Sequence, residues 1–190
     1  MFSAQVEEGL ELRLLEVRHA EALFSLIDQN REHLSYWFPF MEKMEAVEDA
    51  RRNIREGLEQ FSKGKGFELG IWFNETLVGA VGAHNISQRF NCAEVGYWLE
   101  ETRQGRGITT KVCAYICTHL FDELDLDRVE ISCSERNTRS RKIPERLGFT
   151  LEGKLRQMGY TEDGLTDYLV YGLLKSEWQK GKETNSPPLA

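Results

Sequence analysis

The chain is poor in the features that assign a protein quickly. Its four cysteines, Cys92, Cys113, Cys117 and Cys133, fall at no Cys-x-x-Cys spacing and have no histidine at metal-ligand spacing. That argues against a disulfide framework or a zinc site, and no metal is expected. They read as small buried apolar side chains. No apolar run approaches the roughly 20 residues of a membrane-spanning helix. The N-terminal MFSAQVEEGLELR has acids where a secretory leader has a basic region and an apolar stretch, so a cytoplasmic location away from membranes is expected. Positive charge is also scarce. Lysine and arginine number 24 against 31 acids, net −7, the opposite of a surface built for a phosphate backbone, and nucleic acid is not an expected direct partner.

What is present is a globular balance, 41% hydrophobic and 29% charged, in 190 residues, which suits one domain. We take residues 1–178 as that domain and 179–190, polar and proline-bearing, as a flexible tail. The charge is unevenly placed. Residues 103–111 hold Arg103, Arg106 and Lys111 with no acid (+3). Residues 136–146 hold Arg136, Arg139, Arg141, Lys142 and Arg146 against Glu145 (+4), leaving −14 on the remainder. Two short basic segments in an acidic chain suit a compact polyanion such as a phosphorylated cofactor.

Periodicity gives the elements. Leu10, Leu12 and Leu14 alternate as a strand, and Ala20, Leu23, Phe24 and Ile27 follow at helical spacing. The aromatic stretch NREHLSYWFPF ends in a proline break, and Ile54, Leu58 and Phe61 mark a second, exposed helix over 47–63. From Phe67 the period becomes two: FELGIWF, a turn at Asn74 and Glu75, TLVGAVGAHNI, then AEVGYWL. Ile108, Val112, Ile116, Leu120 and Leu124 predict the strongest helix. Val129, Ile131 and Cys133 form another strand, a helix over 138–147 ends at Gly148, and 149–151 and 168–174 close the chain as strands. This order predicts an α/β (α+β) domain, a mixed sheet of about seven strands flanked by about four helices.

The segment WLEETRQGRGITT (98–110) joins a strand to the strongest helix through Gly105 and Gly107. Glycines let backbone N–H groups turn toward an anion, and a helix N-terminus adds unpaired donors and the positive end of its dipole. Arg103, Arg106 and Lys111 favour a phosphate cradle over a plain tight turn. The loop is no Walker A, lacking Gly-Lys-Ser/Thr, and no dinucleotide fingerprint, since Thr110 stands at the third glycine position. Further on, Asn137 starts a helix as a cap or as a ligand-facing amide, with Ser140 one turn away.

Together, QGRGIT (104–109), NTRSRKIPERLGF (137–149) and AEVGYWL (93–99) resemble the GNAT acetyltransferase superfamily, and within it the RimJ/RimL-like branch, which acetylates the N-terminal amine of ribosomal proteins. The resemblance spans nearly the whole chain. It implies acetyl-CoA as co-substrate, a centrally splayed sheet, and a Q/R-x-x-G-x-G/A loop whose first and fourth positions are Gln104 and Gly107. Gln104, Gly105, Arg106, Gly107, Ile108 and Thr109 would bind the diphosphate, with Thr109 in place of the usual small residue. Trp98 and Leu99 would pair with the pantetheine arm as with an added strand. Asn137 and Ser140 would contact that arm near the thiol.

For the chemistry, Glu94 is the first candidate base, facing away from Val95, Tyr97 and Leu99, and His84 the second. The resemblance implies a tyrosine acid at the position held by Pro144, so Ser140 stands in for it. The glutamate of the serine-based scheme falls at Gly159. Tyr36, Trp37, His84, Tyr160 and Asp167 are the expected acceptor-binding residues. Residues 1–60 carry 13 acids and 7 bases, net −6, which suits a cationic acceptor: a ribosomal protein N-terminus, a polyamine or an aminoglycoside-like amine. A non-catalytic coenzyme A sensor is the alternative of a different class. The sequence is compatible with a homo-oligomer.

Overall fold

In the computed structural model, residues 3–185 are described, with side-chain burial described through 181. Among these described residues eight strands form one sheet in the order β1-β2-β3-β4-β5-β6-β8-β7. They are β1 (Ser3–Glu7), β2 (Leu10–Leu14), β3 (Phe67–Phe73), β4 (Thr76–Ser87), β5 (Cys92–Leu99), β6 (Arg128–Ser134), β7 (Thr150–Thr161) and β8 (Gly164–Leu174). Among the described residues six α-helices accompany them: α1 (Ala20–Gln29), α2 (Arg31–Trp37), α3 (Val47–Ser62), α4 (Ile108–Thr118), α5 (Thr138–Arg146) and α6 (Lys175–Asn185). The sheet thus has one strand more, and the helical set two members more, than the sequence pattern predicts. The extra strand β1 is a partly exposed edge without a clean apolar face, hairpinned to β2 through Gly9 at φ 74. α2 is only two turns long, and α6 carries the chain through residues 179–185, which we expected to be tail; residues 186–190 lie outside the described region.

The Asn74–Glu75 turn forms as expected, with both residues at positive φ (48 and 61) as a tight type I′ hairpin requires. α4 also forms, but a π-helical turn (His119–Glu123) follows it. The wider turn breaks the four-residue rhythm, so Leu120 is buried, Leu124 is exposed and Leu126 takes the inward place. Phe61, on α3, is likewise exposed. The two closing strands are far longer than the short apolar runs suggested, because β7 is an edge strand exposed along most of its length and shows no alternation.

Every neighbouring pair of strands is antiparallel except β5 and β6. That parallel pair is joined through α4, which lies on one face over Leu69, Ile71, Val81 and Val95 with Ile108, Val112 and Ile116. On the other face α1 and α3 bury Leu23, Ile27, Ala50 and Ile54 against Leu77, Ala80 and Trp98. β5 and β6 pair only at Cys92↔Arg128, Ala93↔Val129 and Glu94↔Glu130 and then part. The sheet therefore forks beyond Glu94, and among the described residues no strand pairs with β5 on that side from residue 95 onward.

Candidate active site

The fork opens onto a cavity of about 710 Å³ lined by Trp98 and Leu99 at the end of β5, the loop Gln104, Gly105 and Gly107, and the first residues of α4, Ile108 and Thr109. Gly105 and Gly107 adopt φ 75 and 78, and Gly107 is the N-cap of α4. A Cβ at either would meet nothing within 4 Å. The glycines are therefore there for backbone direction, not for crowding, and the left-handed turn aims successive N–H groups with the unpaired first turn of α4.

The basic lining differs from expectation. Arg103 lines the cavity, pairs with Glu100 at 2.9 Å and lies over the Phe73 ring at 5.2 Å. Arg106 is exposed and is not among the lining residues, and Lys111 turns to Glu7 on β1 at 2.7 Å. The rest of the positive charge comes from α5 and the turn before it, through Arg136, Arg139, Lys142 and Arg146. Spacing along a loop shows where bases are, not where their long side chains go.

Gln104 is splinted across the cavity mouth. Arg139 Nη1 donates to its Oε1 at 2.6 Å, while its Nε2 lies 2.6 Å from His33 Nε2 and 3.4 Å from the Leu99 carbonyl. With Nε2 of Gln104 donating, His33 Nε2 accepts, which fixes the neutral Nδ1–H tautomer. Burial pushes the His33 pKa down, with Glu101 opposing and Arg139 reinforcing, consistent with a neutral ring.

Asn137 caps α5, its Oδ1 accepting from the Ser140 N–H at 3.0 Å, and both residues line the cavity. The Ser140 hydroxyl lies 3.2 Å from the Tyr97 hydroxyl and also reaches Cys133. Burial pushes the Tyr97 pKa well up, so this pair stays protonated through the physiological range. Pro144 sits inside α5 and is buried.

On the face that Glu94 shares with Trp98, a second cavity of about 550 Å³ is floored by Glu94, Glu130, Ser132, Tyr168 and Val170 and walled by Glu152, Leu155 and Met158. Glu94 lies where expected, on the face away from Val95, and Asn85 donates to it at 3.3 Å. Its parallel partner Glu130 went unnoticed in the sequence, although the alternation of Val129, Ile131 and Cys133 assigns it to this face. Arg128 holds Glu130 and Glu152 together, and the Glu152 carboxyl is kept below the usual range by that guanidinium. A Cβ on Gly159 would fall 1.7 Å from the Tyr168 ring, so that tyrosine fills the place where the resemblance puts a glutamate.

The other acceptor candidates divide. Trp37 lines the first cavity. Tyr36 donates to Asp163 at 2.6 Å and its carbonyl accepts from Glu162 N, which docks α2 on the β7–β8 turn. Tyr160 is exposed on β7. Asp167 does not face the groove: it accepts from Gln157 N at 2.9 Å and pairs with Lys154 at 3.0 Å, and these hold its carboxyl down. Its place is in the hairpin bulge. His84 is exposed beside Glu94, its cross-strand partner on β5.

A sheet forked between its one parallel pair, with a glycine turn capping the crossover helix at the fork, defines an acyl-carrier-binding transferase of α/β architecture. The sequence profile of the acetyltransferase (GNAT) domain matches residues 9–150, and the chain belongs to that family. It is 38% identical over 183 residues to Bacillus subtilis (strain 168) YdaF, provisionally named a ribosomal N-acetyltransferase, covering 96% of this chain and 100% of that one. It is 29% identical over 167 residues to the ribosomal-protein-serine acetyltransferase of Escherichia coli (strain K12), covering 88% and 93%. Among solved structures it superposes on RimL, a ribosomal L7/L12 α-N-protein acetyltransferase in complex with coenzyme A, with TM-score 0.89 and 26% identity over 93% of this chain and 99% of that one. The protein is an acetyl-CoA-dependent N-acetyltransferase of the RimJ/RimL-like branch. Among the described residues no helix is long and apolar enough to cross a membrane, and no group of three His, Cys, Asp or Glu side chains could hold a metal.

Proposed function

We propose that the protein acetylates the N-terminal α-amine of a ribosomal protein. The observation that carries this is the fork beyond Glu94, with a cradle on one side and an acidic floor on the other. The glycine turn, the bases of α5 and the open β5 edge fit a coenzyme A molecule. The N–H groups of residues 105–109 would hold the diphosphate, Arg139 and its neighbours the remaining phosphate charge, and Trp98 and Leu99 the pantetheine arm. Acetyl-CoA supplies the acetyl group as a thioester.

The chain's own residues do the rest. Glu94 and Glu130 draw a cationic amine to the fork, and the cross-strand pair Glu94 and His84 accepts its proton. Because Glu100 N bonds Val78 O on β4, alternate N–H groups of β5 point the other way, and Leu99 N–H is the donor turned toward the fork and available to negative charge developing on a carbonyl oxygen. Ser140, hydrogen-bonded to Tyr97, is the acid for the leaving sulfur. Tyr36, through its tie to the β7–β8 turn, and Trp37 and Tyr160 shape the acceptor groove.

The names of the relatives support a ribosomal acceptor, and the acidic floor supports a cationic one. The test is incubation with acetyl-CoA and a panel of ribosomal N-terminal peptides, polyamines and aminoglycosides, following thiol release. Turnover on the peptides is expected. Turnover confined to polyamines or aminoglycosides would make this a small-molecule enzyme, and thermal stabilisation by acetyl-CoA with no turnover on any acceptor would make it a sensor.

A further inference from the structure

A lane without side chains crosses the floor of the sheet. Glu68 on β3 is the partner of Gly82 on β4, and Gly82 is the partner of Gly96 on β5. His84 leans into this lane: a Cβ on Gly82 would lie 3.3 Å from its Nε2, and one on Gly96 would lie 3.4 Å from both Nε2 and Cδ2. The imidazole edge thus lies over two glycines, beside the point where β5 leaves β6. Behind it, Glu68 is half-buried and close enough to feel the ring's charge; burial pushes that carboxyl up and His84 pulls it down. The titratable groups around His84 are Glu68 from β3, Glu94 from β5 and, beyond Glu94, Glu130 from β6 and Tyr168 from β8.

We propose that His84 is the group that takes the proton from the acceptor amine, that Glu68 is its positioning residue, and that Glu94 with Glu130 holds the incoming ammonium. This divides the labour within the Glu94 and His84 pair and rests on the reading of the fork as the acetyl-transfer site. An α-amine has an ordinary pKa of about 7.7–8.0, a histidine about 6.5 and a glutamate about 4.3. As a residue type, histidine lies closer to an α-amine on this scale than glutamate does, and the imidazole is the better-matched base. The balance is complete without a co-reactant. One ammonium proton passes to His84 Nε2 and leaves to solvent from the exposed ring. The C–N bond forms as the C–S bond breaks, and a second nitrogen proton is lost as the sulfur gains one. Ammonium plus thioester gives amide, thiol and one released proton. Glu68 offsets the charge that the ring gains.

The first measurement needs no acetyl-CoA. The four histidines are titrated by NMR through their Cε1–H resonances, with His84→Asn assigning the His84 signal. In Glu68→Gln the His84 midpoint moves down by about half to one pH unit, the size of a lost neighbouring charge. In turnover, His84→Asn lowers kcat/KM on the order of 10²-fold at pH 7, the deficit shrinks toward pH 9 where the amine is neutral unaided, and the coenzyme A Kd is unchanged. Glu68→Gln shifts the acid limb of the rate profile with the NMR midpoint, and Glu68→Asp restores it in part. An unmoved His84 midpoint in Glu68→Gln, or a wild-type pH profile in His84→Asn, overturns the proposal while leaving the acetyl-transfer site intact. A wild-type protein inert on every amine, with Glu94→Gln binding amines unchanged, overturns both.

Discussion

Substituting Gly107 by glutamate separates the cradle from the fold. Gly107 is at φ 78 and ψ −2, with nothing within 4 Å of where a Cβ would stand, so the new side chain meets no clash. The cost to the fold is the left-handed backbone alone, about 1–2 kcal/mol for a non-glycine residue, or roughly 3–6 °C in Tm for a chain of this size. Ligand binding loses more. A carboxylate about 5 Å from one diphosphate charge, at an effective dielectric of about 20, is repelled by about 3 kcal/mol, which is roughly a hundredfold in Kd. Gly107→Ala carries the same backbone cost without the charge and is the control. Calorimetric titration with coenzyme A in 50 mM and 500 mM salt reads the effect. The Gly107→Glu deficit shrinks at high salt and the Gly107→Ala value does not. A Gly107→Glu protein that melts a few degrees low yet binds coenzyme A like the alanine variant refutes the cradle.

Three further outcomes follow from the same geometry. Arg139→Ala removes the 2.6 Å bond that splints Gln104 and a base lining the cavity, so coenzyme A affinity falls about tenfold with little change in Tm. Ser140→Ala lowers kcat more than coenzyme A affinity in steady-state kinetics; equal losses in both would leave Ser140 a binding residue only. Arg128→Met leaves Glu130 and Glu152 facing each other unneutralised, and Tm falls more at pH 7 than at pH 4. The sign follows from Glu152, whose folded carboxyl is held down by Arg128: its contribution is present above the ordinary carboxylate range and is lost as pH falls through the depressed value.

The legible parts of the fold were those written in local spacing. The Asn74–Glu75 turn, the strands around it, α4 up to Thr118 and the Gly105–Gly107 bend each follow from a few adjacent residues, and each is where the pattern put it. Contacts that depend on neighbours distant in sequence were not legible. β7 is an exposed edge whose polar run alternates with nothing, and β1 is recognisable as a strand only once β2 pairs with it. Lys111 looked like part of the cradle because it is near in sequence, but Glu7, 104 residues away, takes it. Asp167 looked like a groove residue until its hairpin bonds were seen. Glu130 and Glu68 were missed for a related reason: only the strand register brings them to Glu94 and His84.

The central claim is that β5 and β6 part beyond Glu94 to admit coenzyme A, gripped by the amides of the glycine bend. A crystal structure of the protein grown with coenzyme A tests it most directly. The account predicts the diphosphate within hydrogen-bond distance of backbone N–H groups from Gly105 to Thr109 and the pantetheine arm paired to β5 at Trp98 and Leu99. Coenzyme A bound elsewhere, or β5 and β6 zipped together past Glu94 and Glu130, would contradict it.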